Sequence, residues 1–225
     1  MAALTVVFDL DGTLVDTAPD LIESLNVVFA HQGLQPVDYA EARGMIGGGA
    51  RRMIESALQH KGRPAFDSEV DRMLDEFIEY YAAHVADRSR AFPGLDAALD
   101  RLAERGCRFA VCTNKLERLS RLLLDTLGLT RRFAAICGQD TFGIQKPDPE
   151  ILWRTIRAAG GQVPRAVMVG DSGIDIATAR AARVPVVAVD FGYSDTPVRD
   201  LRPDRLISHF DDLARAVLEI APPLP

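Results

Sequence analysis

Cysteine is scarce in this sequence: Cys107, Cys112 and Cys137 are the whole complement in 225 residues. A small, odd number excludes a disulfide scaffold and predicts reduced thiols in a cytoplasmic protein. Histidine is equally sparse. His31, His60, His84 and His209 show no paired-ligand spacing, so no zinc site is expected. No run of about 20 apolar residues occurs, which leaves no candidate membrane helix. The first apolar run ends at Asp9 and has no basic lead, unlike a secretory signal. Basic residues are in the minority, with 26 Lys and Arg against 32 Asp and Glu and a net charge of −6. That balance argues against nucleic acid or an anionic membrane as a partner. What remains is ordinary for a globular chain: 48% hydrophobic and 26% charged residues, enough to bury a core without staples.

Short apolar runs rich in β-branched residues recur along the chain. Leu4–Phe8, Arg108–Cys112, Ala134–Cys137, Ala166–Val169, Val184–Val189 and the weaker Arg205–Ser208 read as buried parallel strands. Helical patterns separate them. Leu95, Leu99 and Leu102 share one face before Gly106, and Leu116, Leu119 and Leu123 do so before Gly128. Ile151, Leu152 and Ile156 precede Gly160, and Ile176–Ala181 suggests a further helix. About a hundred residues separate the first run from the second, far more than the dozen or so that a crossover needs. Much of that excess is helical in pattern, at Asp20–Ala30, Met53–Leu58 and Val70–Val85. The expected fold class is α/β: a doubly wound parallel sheet with a small all-helical domain inserted after the first strand. The core would comprise residues 1–16 and 92–225 and the insertion residues 17–91, with hinges at Asp16–Pro19 and Ser89–Gly94. Ala221–Pro225 is expected to fray.

Ligands of open α/β sheets bind outside the carboxyl ends of the strands. Asp9-Leu10-Asp11-Gly12-Thr13 follows the first strand and Thr113-Asn114-Lys115 the second. Gly170-Asp171-Ser172 follows the fourth, with Asp175 a helical turn later, and Lys146-Pro147-Asp148-Pro149 precedes the Ile151 helix. Each motif alone has a plain structural explanation as a turn, a cap or a solvated charge. Together they place carboxylates, small polar groups and a lone lysine at one sheet edge. Asp9 and Asp11 would point to the same side of an extended segment, and Asp171 would approach from a neighbouring strand. Carboxylates about 4 Å apart repel by roughly 4 kcal/mol per pair at an effective dielectric near 20. Such a cluster calls for a cation, and hard oxygen ligands select Mg²⁺.

The segment Asp9-Leu10-Asp11-Gly12-Thr13-Leu14-Val15-Asp16 resembles the first motif of the haloacid dehalogenase-like phosphohydrolases. Thr113-Asn114, Lys146 and Gly170-Asp171 with Asp175 resemble its second, third and fourth motifs, in order. The helical insertion matches the cap of one subfamily. Within the family the chain is most similar to the branch that acts on 2-phosphoglycolate, through Thr113-Asn114-Lys115, Lys146-Pro147-Asp148-Pro149 and Gly192-Tyr193. The resemblance implies a Mg²⁺-dependent phosphatase. Asp9 would be the nucleophile, forming an aspartyl-phosphate, and Asp11 the general acid and base. Thr113 and Asn114 would bind phosphoryl oxygens, Lys146 would neutralise charge, and Thr13 would stand among the substrate-binding residues. The Asp9 carboxylate, the Asp11 backbone carbonyl and Asp171 would hold the metal, with Asp175 as outer support or a water-mediated ligand. Because the dehalogenase branch lacks a second aspartate, Asp11 argues for phosphoryl chemistry.

The four motifs touch only the phosphoryl group, so specificity is expected from the insertion. Gly47-Gly48-Gly49 leads into a helix that carries Arg51 and Arg52. Free N–H groups there, with an arginine, would suit the carboxylate of a small acidic substrate. Gly48 stands where related phosphatases often carry Asn, which removes one donor. Two rival readings fit the same residues: a phosphomutase of the same superfamily, and a receiver-like module that holds a phosphate on Asp9. The expected partner is a small-molecule phosphomonoester, met by a monomer or homodimer.

Overall fold

The computed structural model describes residues 3–221, so the expected frayed end lies outside it from residue 222 onward. Thr5–Phe8 forms β1, buried on both faces as its unbroken apolar run dictates. The chain then turns through Val15–Asp16 (β2) into four helices, α1 (Ala18–His31), α2 (Tyr39–Arg43), α3 (Ala50–His60) and α4 (Asp67–Ala83). It returns along Arg90–Ala91 (β3) to α5 (Leu95–Glu104), β4 (Arg108–Cys112), α6 (Glu117–Thr126) and β5 (Ala135–Cys137). α7 (Pro149–Ala158), β6 (Ala166–Gly170), α8 (Gly173–Ala182), β7 (Val186–Val189), β8 (Arg205–Ile207) and α9 (Leu213–Ile220) complete the described chain.

β5-β4-β1-β6-β7-β8 form one parallel sheet in that order. The chain runs outward from β1 through β4 and β5, then crosses back to β6 on the other side of β1. The crevice at this reversal is where an open α/β sheet receives a ligand. Register fixes what stands there. Phe8 pairs with Val111 on one side and Val169 on the other. The next residues of all three strands, beginning with Asp9, emerge together at the carboxyl edge.

One sheet face packs with α5, α6, α9 and the helical insertion into a continuous apolar cluster. The other face packs against α7 and α8. Phe8 is fully buried and meets Phe109 and Phe133 edge-on, at ring centroids 6.1 and 6.3 Å away. Truncating such a ring to Ala costs about 3–5 kcal/mol. Within the insertion, α4 packs against α1 and α3 and buries Val70, Met73, Phe77 and Tyr81 along one stripe.

Four elements were not foreseen. α2 has five residues, capped by the Asp38 side chain on the Ala40 amide, and is too short for a periodic signal. β2 and β3 are two residues each, pairing antiparallel as Val15 with Ala91 and Asp16 with Arg90. The two expected hinge segments thus lie side by side. α9 follows the last strand and buries Leu213, Ala216 and Val217. β7 begins at Val186 rather than Val184, since Pro185 has no N–H to give a neighbouring strand.

Candidate active site

Asp9 leaves the end of β1 with its amide bonded to the Val169 carbonyl at 2.9 Å, which extends the strand pairing by one residue. Gly12 then turns the chain with φ of +84°, a conformation that favours glycine. A Cβ at this position would lie 2.4 Å from Asp171 Oδ2. Gly192 also lies against Asp171, where a Cβ would come within 2.2 Å of the Asp171 Cβ. Asp171 is thereby pressed against two backbones. Its Oδ1 accepts the Thr13 hydroxyl at 2.9 Å and its Oδ2 the Tyr193 amide at 2.7 Å.

Asp9, Asp171 and Asp175 are buried and each offers an oxygen within 4.8 Å of the others. One ammonium faces them. Lys146 Nζ lies 2.8 Å from Asp9 Oδ1 and donates to Asp175 Oδ1 at 2.7 Å. Asp175 Oδ2 is taken as well, by the amide and hydroxyl of Ser172 in the capping box of α8. Asp175 thus holds Lys146 on one oxygen and its own helix start on the other. Burial, reinforced by the neighbouring carboxylates, pushes Asp9 up to about 7 and Asp171 up to about 8. For Asp9 this outweighs the pull of Lys146. Lys146 is shifted upward by Asp175 and Asp9 in spite of its burial.

The charges decide what the cluster can hold. With all three ionised, the buried carboxylates against one buried ammonium leave −2, the complement of one divalent cation. The donors are all oxygen, as a hard cation requires. Asp9 Oδ1 accepts no well-formed hydrogen bond, although it is buried. The residues present fit a divalent ion.

Asp11 is arranged differently. Its carboxylate accepts the Thr17 hydroxyl at 2.7 Å and Lys115 Nζ at 2.9 and 3.2 Å. Lys115 Nζ also sits 4.3 Å from the centre of the Tyr81 ring, which α4 supplies. Burial works against the Lys115 charge, and Asp11 and Tyr81 more than restore it, so the net shift is upward.

Thr113 is buried at the end of β4, and its Oγ1 accepts the Lys115 amide at 3.2 Å. The Asn114 amide pairs with the Lys146 backbone in both directions, at 2.8 and 3.2 Å, and also donates to the Gly47 carbonyl at 3.2 Å. A single residue therefore joins the second motif, the third motif and the glycine turn of the insertion. Arg43 of α2 adds a second tether, donating to the carbonyls of Phe191 and Gly192 at 3.0 and 2.7 Å.

A cavity of about 100 Å³ opens between sheet edge and insertion, lined by Asp9, Asp11, Thr113 and Lys115 from below and by Arg51 and Tyr81 from above. That is well under the roughly 300–1,000 Å³ of pockets for larger ligands.

The chain matches the haloacid dehalogenase-like hydrolase family over residues 6–189. It belongs to that family. A phosphoglycolate phosphatase of Mesorhizobium japonicum is 51% identical to it, over 97% of this chain and 96% of its own length. One of Caulobacter vibrioides is 42% identical over 98% of this chain and 93% of its own. Among solved structures, one described as a "predicted phosphoglycolate phosphatase" from Haemophilus somnus 129pt superposes with a TM-score of 0.87. It shares 27% identity and covers 95% of this chain and 97% of its own.

In this haloacid dehalogenase-like hydrolase, Asp9, Asp171, Asp175 and Lys146 are brought into one cluster, with Asp11, Thr113 and Asn114 beside it. Other expected site residues stand elsewhere. Thr13 gives its hydroxyl to Asp171 rather than to the cavity. Gly47 and Gly49 line the cavity, whereas Gly48 backs onto the Arg52 side chain. Arg52 is exposed. Arg51 reaches the cavity, but its guanidinium pairs with Asp71 and lies 3.4 Å from Glu55 and 3.8 Å from Asp67. Lys115 and Tyr81 had no expected role. The signal for Lys115 was its place beside Asn114 at a strand end. Tyr81 read as one more core position on its helix.

Proposed function

We propose that the chain is a Mg²⁺-dependent phosphomonoester hydrolase that works through an aspartyl-phosphate on Asp9, with 2-phosphoglycolate as its substrate. The observation that carries this reading is the buried cluster of Asp9, Asp171 and Asp175 around Lys146 with its −2 balance. Sequence relatives that bear the name of phosphoglycolate phosphatase support the substrate, and the small cavity suits it.

The Asp9 carboxylate attacks phosphorus in line, forming an acyl-phosphate bond as the ester P–O bond breaks. Asp11, in its protonated form, gives that proton to the departing alkoxide. It then takes one from the water that attacks the phosphoryl group and frees Asp9. Thr113 and Asn114 orient phosphoryl oxygens, and Lys146 offsets their charge while restraining Asp9. Asp175 acts through Lys146. Asp9, the Asp11 carbonyl and Asp171 would hold Mg²⁺, which supplies charge neutralisation at the phosphoryl oxygens. Residues 17–91 serve as a cap domain over this edge, with Gly47 and Gly49 against the substrate. All these groups come from one chain, so a monomer or a homodimer serves equally. The cysteines are free, in keeping with a cytoplasmic enzyme. No helix of the described residues is long and apolar enough to cross a membrane.

Phosphate release from a panel of phosphomonoesters, 2-phosphoglycolate included, with and without Mg²⁺, tests this reading. Hydrolysis of 2-phosphoglycolate above the rest is expected. Isomerised sugar phosphate with no free phosphate would replace it with a mutase.

A further inference from the structure

The cavity has two basic side chains on its wall, Arg51 and Lys115. They are not equivalent. Arg51 is ringed by Glu55, Asp67 and Asp71 and shares its α3 helix turn with Glu55, so its charge is answered within the insertion. Lys115 is answered by Asp11 alone and leans on the ring of Tyr81. Its side chain is 5% exposed. Its pairing with Asp11 holds the ammonium beside that carboxylate in the cavity wall.

An acidic substrate meets a difficulty in this cavity. Beyond its phosphoryl group it carries a further negative charge, and the wall already carries Asp9 and Asp11. That charge needs a cation that can turn toward it. An ammonium has rotatable donors on a flexible stem, whereas a ring face is a weak partner for it. Leu74, Phe77 and Ile78 of α4 line the cavity around Tyr81 and keep water from the pair that would form.

On the reading given above, we propose that Lys115 is the specificity residue of this enzyme. Its ammonium binds the second anionic group of the substrate, a carboxylate within a few atoms of the phosphate ester. Tyr81 is the platform from the insertion that keeps the ammonium over the cavity. Binding draws Lys115 from Asp11 toward the substrate, so an acidic phosphomonoester both gains an ion pair and releases the Asp11 carboxylate. A neutral phosphomonoester does neither.

The test compares 2-phosphoglycolate with ethyl phosphate, which has a methyl group where the carboxylate stands. The ratio of kcat/KM for the two esters is measured in the wild type, Lys115→Met, Lys115→Gln and Lys115→Arg. The Met and Gln variants should lower the ratio at least tenfold, and Arg should restore part of it. Loss on both esters in equal proportion would mean that Lys115 only props Asp11, and would overturn the proposal. Calorimetric binding of both esters to Asp9→Asn, with and without Lys115→Gln, reads the same preference without turnover. If wild type hydrolysed neither ester, the phosphatase reading would fall while the binding ratio still decided Lys115. A ratio unchanged by Lys115→Gln there would again overturn the proposal.

Discussion

The sheet edge and the insertion solve opposite problems. At the edge, charge is concentrated and movement is denied: Asp9, Asp171, Asp175 and Lys146 are all buried, and Asp171 is packed against Gly12 and Gly192. The insertion is mostly an apolar bundle, with its charged groups paired near the surface, as Arg51 is with Asp71. The two meet through a few polar links, Asn114 to Gly47, Arg43 to Phe191 and Gly192, and Lys115 over Tyr81. Preorganised charge at the edge lowers the barrier to phosphoryl transfer. The insertion closes the cavity above that edge, with Arg51 and Tyr81 on its wall.

If that division holds, substitutions in the buried acidic cluster should abolish turnover, and those where Lys115 of the edge meets Tyr81 of the insertion should redistribute it. The largest effect is expected from Asp9→Asn, a loss of at least about 10⁴-fold in phosphate release with an unchanged circular dichroism spectrum. Activity within tenfold of wild type would remove Asp9 as the nucleophile. Chelation of divalent ions should also bring phosphate release to background, with recovery on adding Mg²⁺; survival of activity would mean the acidic cluster holds no catalytic ion.

Lys146→Met should lower kcat by roughly 10³-fold. It should also reduce stability by about 3 kcal/mol in denaturant titration, because it strips the counter-charge from two buried carboxylates. A smaller effect is expected from pH on the cation-free protein. Asp9 and Asp171 titrate higher when folded than their ordinary value of 3.8, at about 7 and about 8. The folded chain therefore holds protons that the unfolded chain releases, and stability falls as pH rises from about 4 through 8. Melting temperature without cation should be lower at pH 8.5 than at pH 6, and Mg²⁺ should raise it most at the higher pH. The smallest effect belongs to the insertion arginines. Arg51→Ala with Arg52→Ala should change the ratio between acidic and neutral esters less than threefold, well below the change at Lys115.

The fold was readable because the central strands are apolar runs, with only β8 at the edge weak, and α5, α6 and α7 each carry one apolar stripe. Asp9, Thr113 and Asp171 were readable because each follows such a run directly, so strand order placed them at one edge. What escaped notice has physical reasons. β2 and β3 have two residues each and α2 has five, too few for a periodic pattern to repeat. Thr13 and Asp175 were identified as polar residues at the right edge, but their hydrogen bonds to Asp171 and Ser172 depend on side-chain directions that spacing does not encode. Lys115 and Tyr81 are about thirty residues apart and on different layers, so only the packing of α4 over β4 makes them neighbours. The arginines of α3 were legible as a basic pair, whereas two of the three acidic residues that engage Arg51, Asp67 and Asp71, lie on the next helix.

The pairing of β1 between β4 and β6 has a consequence for how this chain can change length. Side chains alternate along a strand, so a single-residue deletion anywhere from Thr5 to Phe8 would turn Asp9 to the opposite face and break both flanking registers. The stretch between Asp16 and Arg90 carries no such parity, because it leaves and rejoins the core at adjacent points of one antiparallel ribbon. Lengthening or trimming is therefore free to accumulate in the layer that covers the cavity, and is forbidden within the four residues that set where Asp9 points.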